Sequence, residues 1–259
     1  MTNDRSAAWL RRSRSFGRIA AQYDRFRPDY PDELFQELLR SAPAARVLEA
    51  GAGTGRATLA LARRGASVVA VEPDPAMAAL ARRATEGLPV EVAVSTFEDF
   101  VVPADSFDLV VSAQAWHWVD REAGAAVAAR ALRPGGAIAL WWNRPRDLDG
   151  PAWAAIHAAY AEHAPELDRR EAMSGQPAAE SALEPLPGFG PWTTRMFNWS
   201  TTYSAADYCG LVQTRSDHLQ LPSARRESLI EALRTAIEDL GEGCLEYRYR
   251  TIMLTAQPG

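Results

Sequence analysis

The chain has 259 residues and a net charge of −5, a length that suits one α/β domain with additions or two small ones, and an acidity that gives no electrostatic footprint for nucleic acid or an anionic membrane. All 28 basic residues are arginine, so a P-loop lysine and lysine Schiff-base chemistry are excluded. Cys209 and Cys244 are too few for a disulfide framework or a zinc cluster, and no apolar run is long enough to span a bilayer.

Met1 to Ser15 is polar and arginine-rich without an apolar h-region, so a cytoplasmic location is expected. From Ser15 to Pro31, Phe16, Ile19, Ala20 and Tyr23 fall at helical spacing before Arg25, Arg27 and two prolines stop the helix. Asp32 to Leu39 begins a second helix with Leu34, Phe35 and Leu38 on its buried side. Arg46 to Thr58 (RVLEAGAGTGRAT) then reads as a strand through Val47 and Leu48, closed by Glu49, with Gly51, Gly53 and Gly55 leading into an alanine-rich helix. A strand that breaks into glycines and re-forms as a helix brings bare backbone N–H groups to one point, where a small polar ligand can approach closely. A dinucleotide fingerprint would need its third glycine at position 56, which is Arg56, and this argues against nucleotide-dependent redox chemistry.

Ala66 to Val71 is a second strand that ends in Glu72, about twenty residues past the glycines, where an α/β nucleotide site places its ribose-binding carboxylate. Asp74 can cap a helix through Arg83, Val90 to Val94 makes a third strand, and Ser95 to Asp99 follows it. Ser106 to Ser112 is the fourth strand and runs into Ala113 to Asp120 (AQAWHWVD). Ligands bind outside the carboxyl ends of strands in an open parallel sheet, so this stretch is well placed for chemistry. His117 has the intrinsic pKa to take a proton from a hydroxyl, amine or thiol; the other reading is a histidine that caps the next helix or orders the loop. Ala123 to Leu132 is a helix ended by Arg133-Pro134-Gly135-Gly136, and Ala137 to Trp142 is the fifth strand, with Asn143 and Arg144 at its end.

Asp149 to Ala164 is helical with Trp153, Ile156 and Tyr160 on one face, while His157 and His163 lie on different faces, which argues against a shared metal. A Pro/Gly/Ser-rich connection runs from Ala172 to Gly190. Strands over Trp192 to Trp199 and Cys244 to Thr255 bracket two helices, Ala205 to Thr214 and Ala224 to Asp239.

An acidic strand end before Gly-x-Gly-x-Gly, a second acidic strand end at Glu72, and the LRPGG turn before an apolar strand together resemble the class I S-adenosylmethionine (SAM) methyltransferases over about residues 16 to 143. The arrangement is most similar to the small-molecule branch that includes trans-aconitate methyltransferase, where a His-Trp pair also follows the fourth strand. The resemblance implies an α/β fold, a Rossmann-like doubly wound seven-stranded sheet with an antiparallel edge strand and a small helical cap. Residues 1–143 would form the cofactor-binding core with N-terminal lid helices, and residues 144–259 the remaining strands and cap of the same domain. SAM would be the cofactor and S-adenosylhomocysteine the product.

By the same resemblance Glu49, Gly51, Ala52 and Gly53 lie at the methionine part, Glu72 and Pro73 at the ribose, and Thr96, Phe97 and Glu98 at adenine. Thr96 stands where family members often carry aspartate. Ala113 faces the cofactor from the fourth strand, and Tyr23 and Arg27 cover its methionine carboxylate; that Tyr23 packs in the core and Arg27 is a surface charge stays open. The insertion between the last two strands is expected to cap the substrate. Trp116, Trp118, Tyr203, Tyr208, Arg215, Ser216 and His218 are candidate acceptor contacts, His117 is the candidate base, and no metal is implied.

The expected reaction is methyl transfer to a small molecule, with O-methylation favoured by the density of Trp and Tyr. N-, S- or C-methylation, carboxyl methylation with Arg27 or Arg215 holding the anion, and a non-catalytic SAM-binding module are alternatives. Nucleic acid and membrane are not expected partners, and a monomer or homodimer is. The all-arginine, alanine-rich usage is associated with GC-rich bacterial genomes.

Overall fold

The computed structural model describes residues 20–40, 42, 44–146, 149–167, 184–215, 217–240 and 242–259; Phe16, Ile19, Ser216 and most of the 172–190 connection lie outside them. Two helices, α1 (Ala20–Phe26) and α2 (Asp32–Leu38), precede strand β1 (Arg46–Ala50). Apolar strands then alternate with helices: α3 (Arg56–Ala62), β2 (Ser67–Glu72), α4 (Pro75–Ala84), β3 (Val90–Val94), β4 (Phe107–Ala113), α5 (Arg121–Ala131) and β5 (Leu132–Pro145). Strands this apolar are stable only when both faces are covered, and parallel neighbours need a crossover rather than a tight turn. The chain continues through α6 (Pro151–His163), β6 (Thr193–Ser204), α7 (Ala205–Gln213), α8 (Ser223–Leu240) and β7 (Cys244–Ala256).

The seven strands form one sheet in the order β3-β2-β1-β4-β5-β7-β6. Strands β1 to β5 pair in parallel, and β7 runs antiparallel to both β5 and β6. The single reversed strand is therefore second from the edge, with β6 outside it. The chain steps outward from β1 to β3 and then returns to β4 on the other side of β1, which opens a crevice at the carboxyl ends of β1 and β4.

Two differences from the sequence reading have local causes. The expected turn over Arg133 to Gly136 bulges out within β5: Leu132 pairs with Phe107 and Ala137 already pairs with Leu109, with Gly135 at φ 82°. Strand β6 continues past Trp199 to Ser204, because Ser200 to Thr202 pair with Arg248 to Glu246 of β7. β5 accompanies β7 only from Tyr249 onward, so the far ends of β6 and β7 overhang the sheet as a two-stranded ribbon.

One sheet face packs Leu34 and Phe35 of α2 and Ala57 and Leu61 of α3 against Val47, Val68 and Trp141. The opposite face packs Ala125, Ala128 and Ala131 of α5 against Leu48, Val110, Leu140 and Trp142. A third core sits on the ribbon, where Trp153, Ile156 and Tyr160 of α6, Leu211 and Val212 of α7, and Leu229, Leu233 and Ile237 of α8 close over Tyr203, Tyr247 and Tyr249. This is the cap.

The N-terminal helix fastens to the cap at one glycine. A Cβ on Gly210 of α7 would meet the Phe26 ring at 2.6 Å, so only a bare backbone lets α1 lie this close. Gly210→Ala should cost about 1–3 kcal/mol of packing. The expected result is a melting temperature several degrees lower by differential scanning fluorimetry; an unchanged value would show that Phe26 turns aside freely.

Candidate active site

The crevice is built first from backbone. Gly51, Gly53 and Gly55 have φ of 70°, 59° and 90°, the left-handed region that side chains other than glycine avoid. The N–H groups of Gly51 and Ala52 donate to the Val71 carbonyl at 2.9 and 3.1 Å, which draws the loop over the end of β2. A Cβ on Gly51 would lie 2.5 Å from that of Ala115, and one on Gly55 would lie 3.0 Å from Ala81, whereas Gly53 faces open space. The loop is thus pinned on both sides and bare in the middle.

Two carboxylates organise this loop. Glu72, buried at the end of β2, accepts the Gly53 N–H at 2.8 Å through one oxygen and the Asp74 N–H at 2.9 Å through the other. Asp74 in turn caps α4 by accepting from the N–H groups of Ala76 and Met77. Glu49 is fully buried; Thr58 Oγ1 donates to one of its oxygens at 2.6 Å, and the other oxygen has no partner among the described residues. Thr54 Oγ1, also in the loop, is likewise buried and unpartnered. Bare backbone facing open space beside two orphaned polar atoms fits a polar ligand such as the amino-acid end of SAM.

Tyr23 lies on α1 and Arg27 on the turn after it, and their side chains meet each other and the cap. The Arg27 guanidinium lies over the Tyr23 ring at 4.7 Å and donates to Thr214 Oγ1 at 3.1 Å and the Thr214 carbonyl at 2.9 Å, so it ties the lid to the end of α7. A relay holds the rest of this segment. Trp199 Nε1 donates to Thr251 Oγ1 at 2.8 Å, Thr251 Oγ1 donates to Asn143 Oδ1 at 2.6 Å, and Asn143 Nδ2 donates to the Asp29 carbonyl at 3.0 Å. Tyr30, which the sequence did not single out, stands edge-on to Trp141 at 5.8 Å, and burial followed by the neighbouring Tyr23 and Glu49 pushes its hydroxyl far above the usual phenol range.

The residues expected at adenine are only partly brought together. Pro73 lies between Glu72 and Asp74 at the loop. Thr96 Oγ1 donates to the Asp99 carboxylate at 2.7 Å, Glu98 accepts the Asp120 N–H at 2.6 Å, and the Phe97 ring turns into the core edge-on to Trp116 at 5.8 Å. Each has a structural partner, and the Phe97 ring is spent on the core.

At the end of β4, Ala113 leads into Gln114, whose φ of 59° is rare for a side-chain-bearing residue and reverses the chain; its N–H donates to the Trp141 carbonyl at 2.9 Å. The turn carries Ala115 onto Gly51, buries Trp116 and leaves His117 at the surface of the crevice, with Trp118 tilted beside it at 5.0 Å. Surrounding protein, and then the positive charge of Arg144, push the imidazole pKa down toward about 4, while the ring's contact with solvent offsets part of that shift. His117 is neutral at pH 7.

The cap residues separate into two groups. His218 is enclosed, its Nδ1 paired with Asp217 at 2.6 Å and its Nε2 with the Tyr160 hydroxyl at 2.9 Å, and Tyr208 is buried between Trp153 and Tyr247. These two pack the cap from within. Arg215 instead keeps accessible surface, as do His117 and Tyr30, beside a ladder in which Trp199 stacks on Tyr249 at 4.6 Å and Tyr249 on Tyr247 at 4.5 Å. The alternation of Tyr247 and Tyr249 is legible along the last strand, but their stacking with Trp199 comes only from the pairing of β6 with β7.

Burial pushes the Glu49 carboxyl up to about 8, against the Thr58 bond, and the Glu72 carboxyl up to about 7, against its two N–H bonds. Both bind protons more tightly folded than unfolded. Their contribution to stability is therefore fullest near their ordinary value of 4.5 and is lost as pH rises toward 8. Glu49→Gln keeps the shape and removes one titration, so its thermal stability should fall less between pH 5 and pH 8 than that of the parent chain. Parallel pH profiles would count against this origin.

The Methyltransferase domain family matches residues 48–140, the segment from β1 to β5. An uncharacterized methyltransferase of Mycobacterium tuberculosis (strain H37Rv) is 36% identical over 223 residues, 86% of this chain and 85% of that one. A solved structure described as a type II methyltransferase from Anaeromyxobacter dehalogenans superposes with a TM-score of 0.64 at 25% identity, covering 90% of this chain and all of that one. The Haemonchus contortus phosphoethanolamine N-methyltransferase 2, solved with S-adenosylhomocysteine, superposes at 0.52 over 97% of this chain and 59% of that one; at 16% identity the likeness is one of fold. With the glycine loop, its two carboxylates and the strand order already in place, the chain belongs to the class I SAM-dependent methyltransferases.

Proposed function

We propose that the chain methylates an oxygen of a small apolar or aromatic metabolite, with His117 as the base, in the branch of the family that includes trans-aconitate methyltransferase. The observation that carries this reading is the turn at the end of β4, where Ala115 packs on the glycine loop and His117, two residues on, is neutral and solvent-accessible. Bound SAM supplies an electrophilic methyl group, so the chain mainly has to align donor and acceptor, which lowers a barrier by roughly 7–11 kcal/mol in well-oriented systems.

In this reading Glu72 accepts from ribose hydroxyls while keeping its two N–H bonds, since a carboxylate has about four acceptor positions. Glu49 and Thr54 offer their unpartnered oxygens to the ammonium of the methionine part, and the bare Gly53 backbone passes beneath it. Tyr23 and Arg27 close over that end. Thr96 and Glu98 are assigned to the adenine side through the hydroxyl and backbone they have left. His117 takes the proton of the acceptor hydroxyl, and Trp118 walls the acceptor on one side.

Gly51→Ala, strained at φ 70° and driven into Ala115, should weaken S-adenosylhomocysteine binding about tenfold or more by calorimetry, equivalent to at least ~1.4 kcal/mol. His117→Ala should retain that binding and lower turnover by about 10²–10⁴, measured as S-adenosylhomocysteine released in the presence of a phenolic acceptor. Unchanged turnover in His117→Ala would remove the base from the mechanism and favour an acceptor that arrives already ionised.

A further inference from the structure

The cap contains a positive charge that the fold leaves underused. Arg215, just past the end of α7, has a side chain whose only hydrogen bond among the described residues runs from Nη2 to the Tyr247 hydroxyl, at 3.4 Å. That is at the outer limit of a hydrogen bond, and a guanidinium has five N–H donors to satisfy. No carboxylate among the described residues lies within ion-pair distance: Asp217, the nearest in sequence, is committed to His218. Nor does Arg215 stack on a ring as Arg25, Arg27, Arg46 and Arg64 do. Holding a half-buried cation without a counter-charge is costly, and folds seldom tolerate it unless something else completes the site.

What surrounds the guanidinium indicates what that is. Its electrostatic neighbours are the phenols of Tyr247, Tyr160, Tyr208 and Tyr249. Tyr160 is occupied by His218, and Tyr208 is deep in the cap core. The other hydroxyls have protons to give. Tyr247 accepts from Arg215, so its own hydrogen points elsewhere, and the Tyr203–Tyr249 pair, 3.0 Å apart, uses one of its two hydrogens and leaves one. An aromatic cage alone would suit an ammonium group, but the guanidinium repels one. Trp199, Tyr249 and Tyr247 stack face on face, so the column turns ring edges outward, which suits edge-to-face contact with an aromatic body beside the charge.

We propose that Arg215, with the hydroxyls of Tyr203, Tyr247 and Tyr249, forms an anion-binding subsite in the cap that holds a non-reacting carboxylate of an aromatic acceptor. The proposal rests on the methyltransferase reading above and names its substrate class. The planar fork of arginine matches a carboxylate through two parallel bonds, which a lysine would not reproduce. The anchored anion sets which end of the acceptor is held in the cap.

The test is calorimetric titration of 4-hydroxybenzoate and of its neutral counterpart 4-hydroxybenzamide into the full chain saturated with S-adenosylhomocysteine. The acid should bind at least about tenfold more tightly than the amide, a difference of ~1.4 kcal/mol. Arg215→Met should abolish that preference with S-adenosylhomocysteine affinity unchanged, and Arg215→Lys should restore only part of it. Should Arg215→Met fail to fold, Tyr247→Phe, which removes one hydroxyl and keeps the stack, should weaken the acid and spare the amide. Equal affinities for acid and amide in the parent chain, binding of neither, or a preference that survives Arg215→Met overturns the subsite. Failure of the parent chain to bind S-adenosylhomocysteine at all is a separate result, and it overturns the cofactor reading instead.

Discussion

The carboxylate of Glu72 accepts two backbone N–H groups on opposite sides of a strand junction, and most of the crevice follows from that one arrangement. Gly53 is fixed by it at one end and Asp74 at the other, so the loop after β1 and the helix after β2 are set relative to each other before any ligand arrives. The cost is a buried acid beside a second buried acid, Glu49, each pushed toward its neutral form. Under the proposed function, the ribose hydroxyls and the ammonium group of SAM meet these oxygens and offset that cost.

The second constraint is the joint between lid and cap. Thr214 receives Arg27 from the lid, the next residue turns its side chain toward the tyrosine ladder, and Phe26 lies in the gap left by Gly210. The relay from Trp199 through Thr251 and Asn143 to Asp29 ties the same lid segment to three strands. The N-terminal segment and the cap are therefore joined as one mechanical unit, although their sequence positions are about 180 residues apart.

That distance explains what the sequence made legible and what it hid. Strand ends, the glycine register and the Asp74 cap are local patterns, and all stand where the chemistry of those residues puts them. Thr96, Glu98 and Phe97 each have a neighbour that their position in the sequence does not announce: Asp99, Asp120 or the Trp116 ring. His218 looked like a free polar side chain in a helical insertion, and only the folding of α6 beside it supplies Tyr160. Tyr30, Asn143 and the Trp199 ladder were not distinguishable from core residues, because their roles come from strands and a lid that meet only in three dimensions. Gln114 gave no signal, since a left-handed backbone at a non-glycine residue is imposed by the turn rather than by composition.

Because β6 and β7 run past β5 as a ribbon, the aromatic ladder is carried on a continuation of the sheet rather than on a set of loops. Side chains on such a ribbon alternate strictly, so Trp199 and Tyr203 on one strand and Tyr247 and Tyr249 on the other form a small grid at fixed spacing on one face. A change at Tyr203 or Tyr247 alters size, polarity or hydrogen bonding at one address on the ribbon, whereas Trp199 also enters the relay to Asp29 and carries a change into the segment before β1. Under the proposed function, the ribbon would set which acceptor is taken, and the loop between β1 and α3 would serve every acceptor alike.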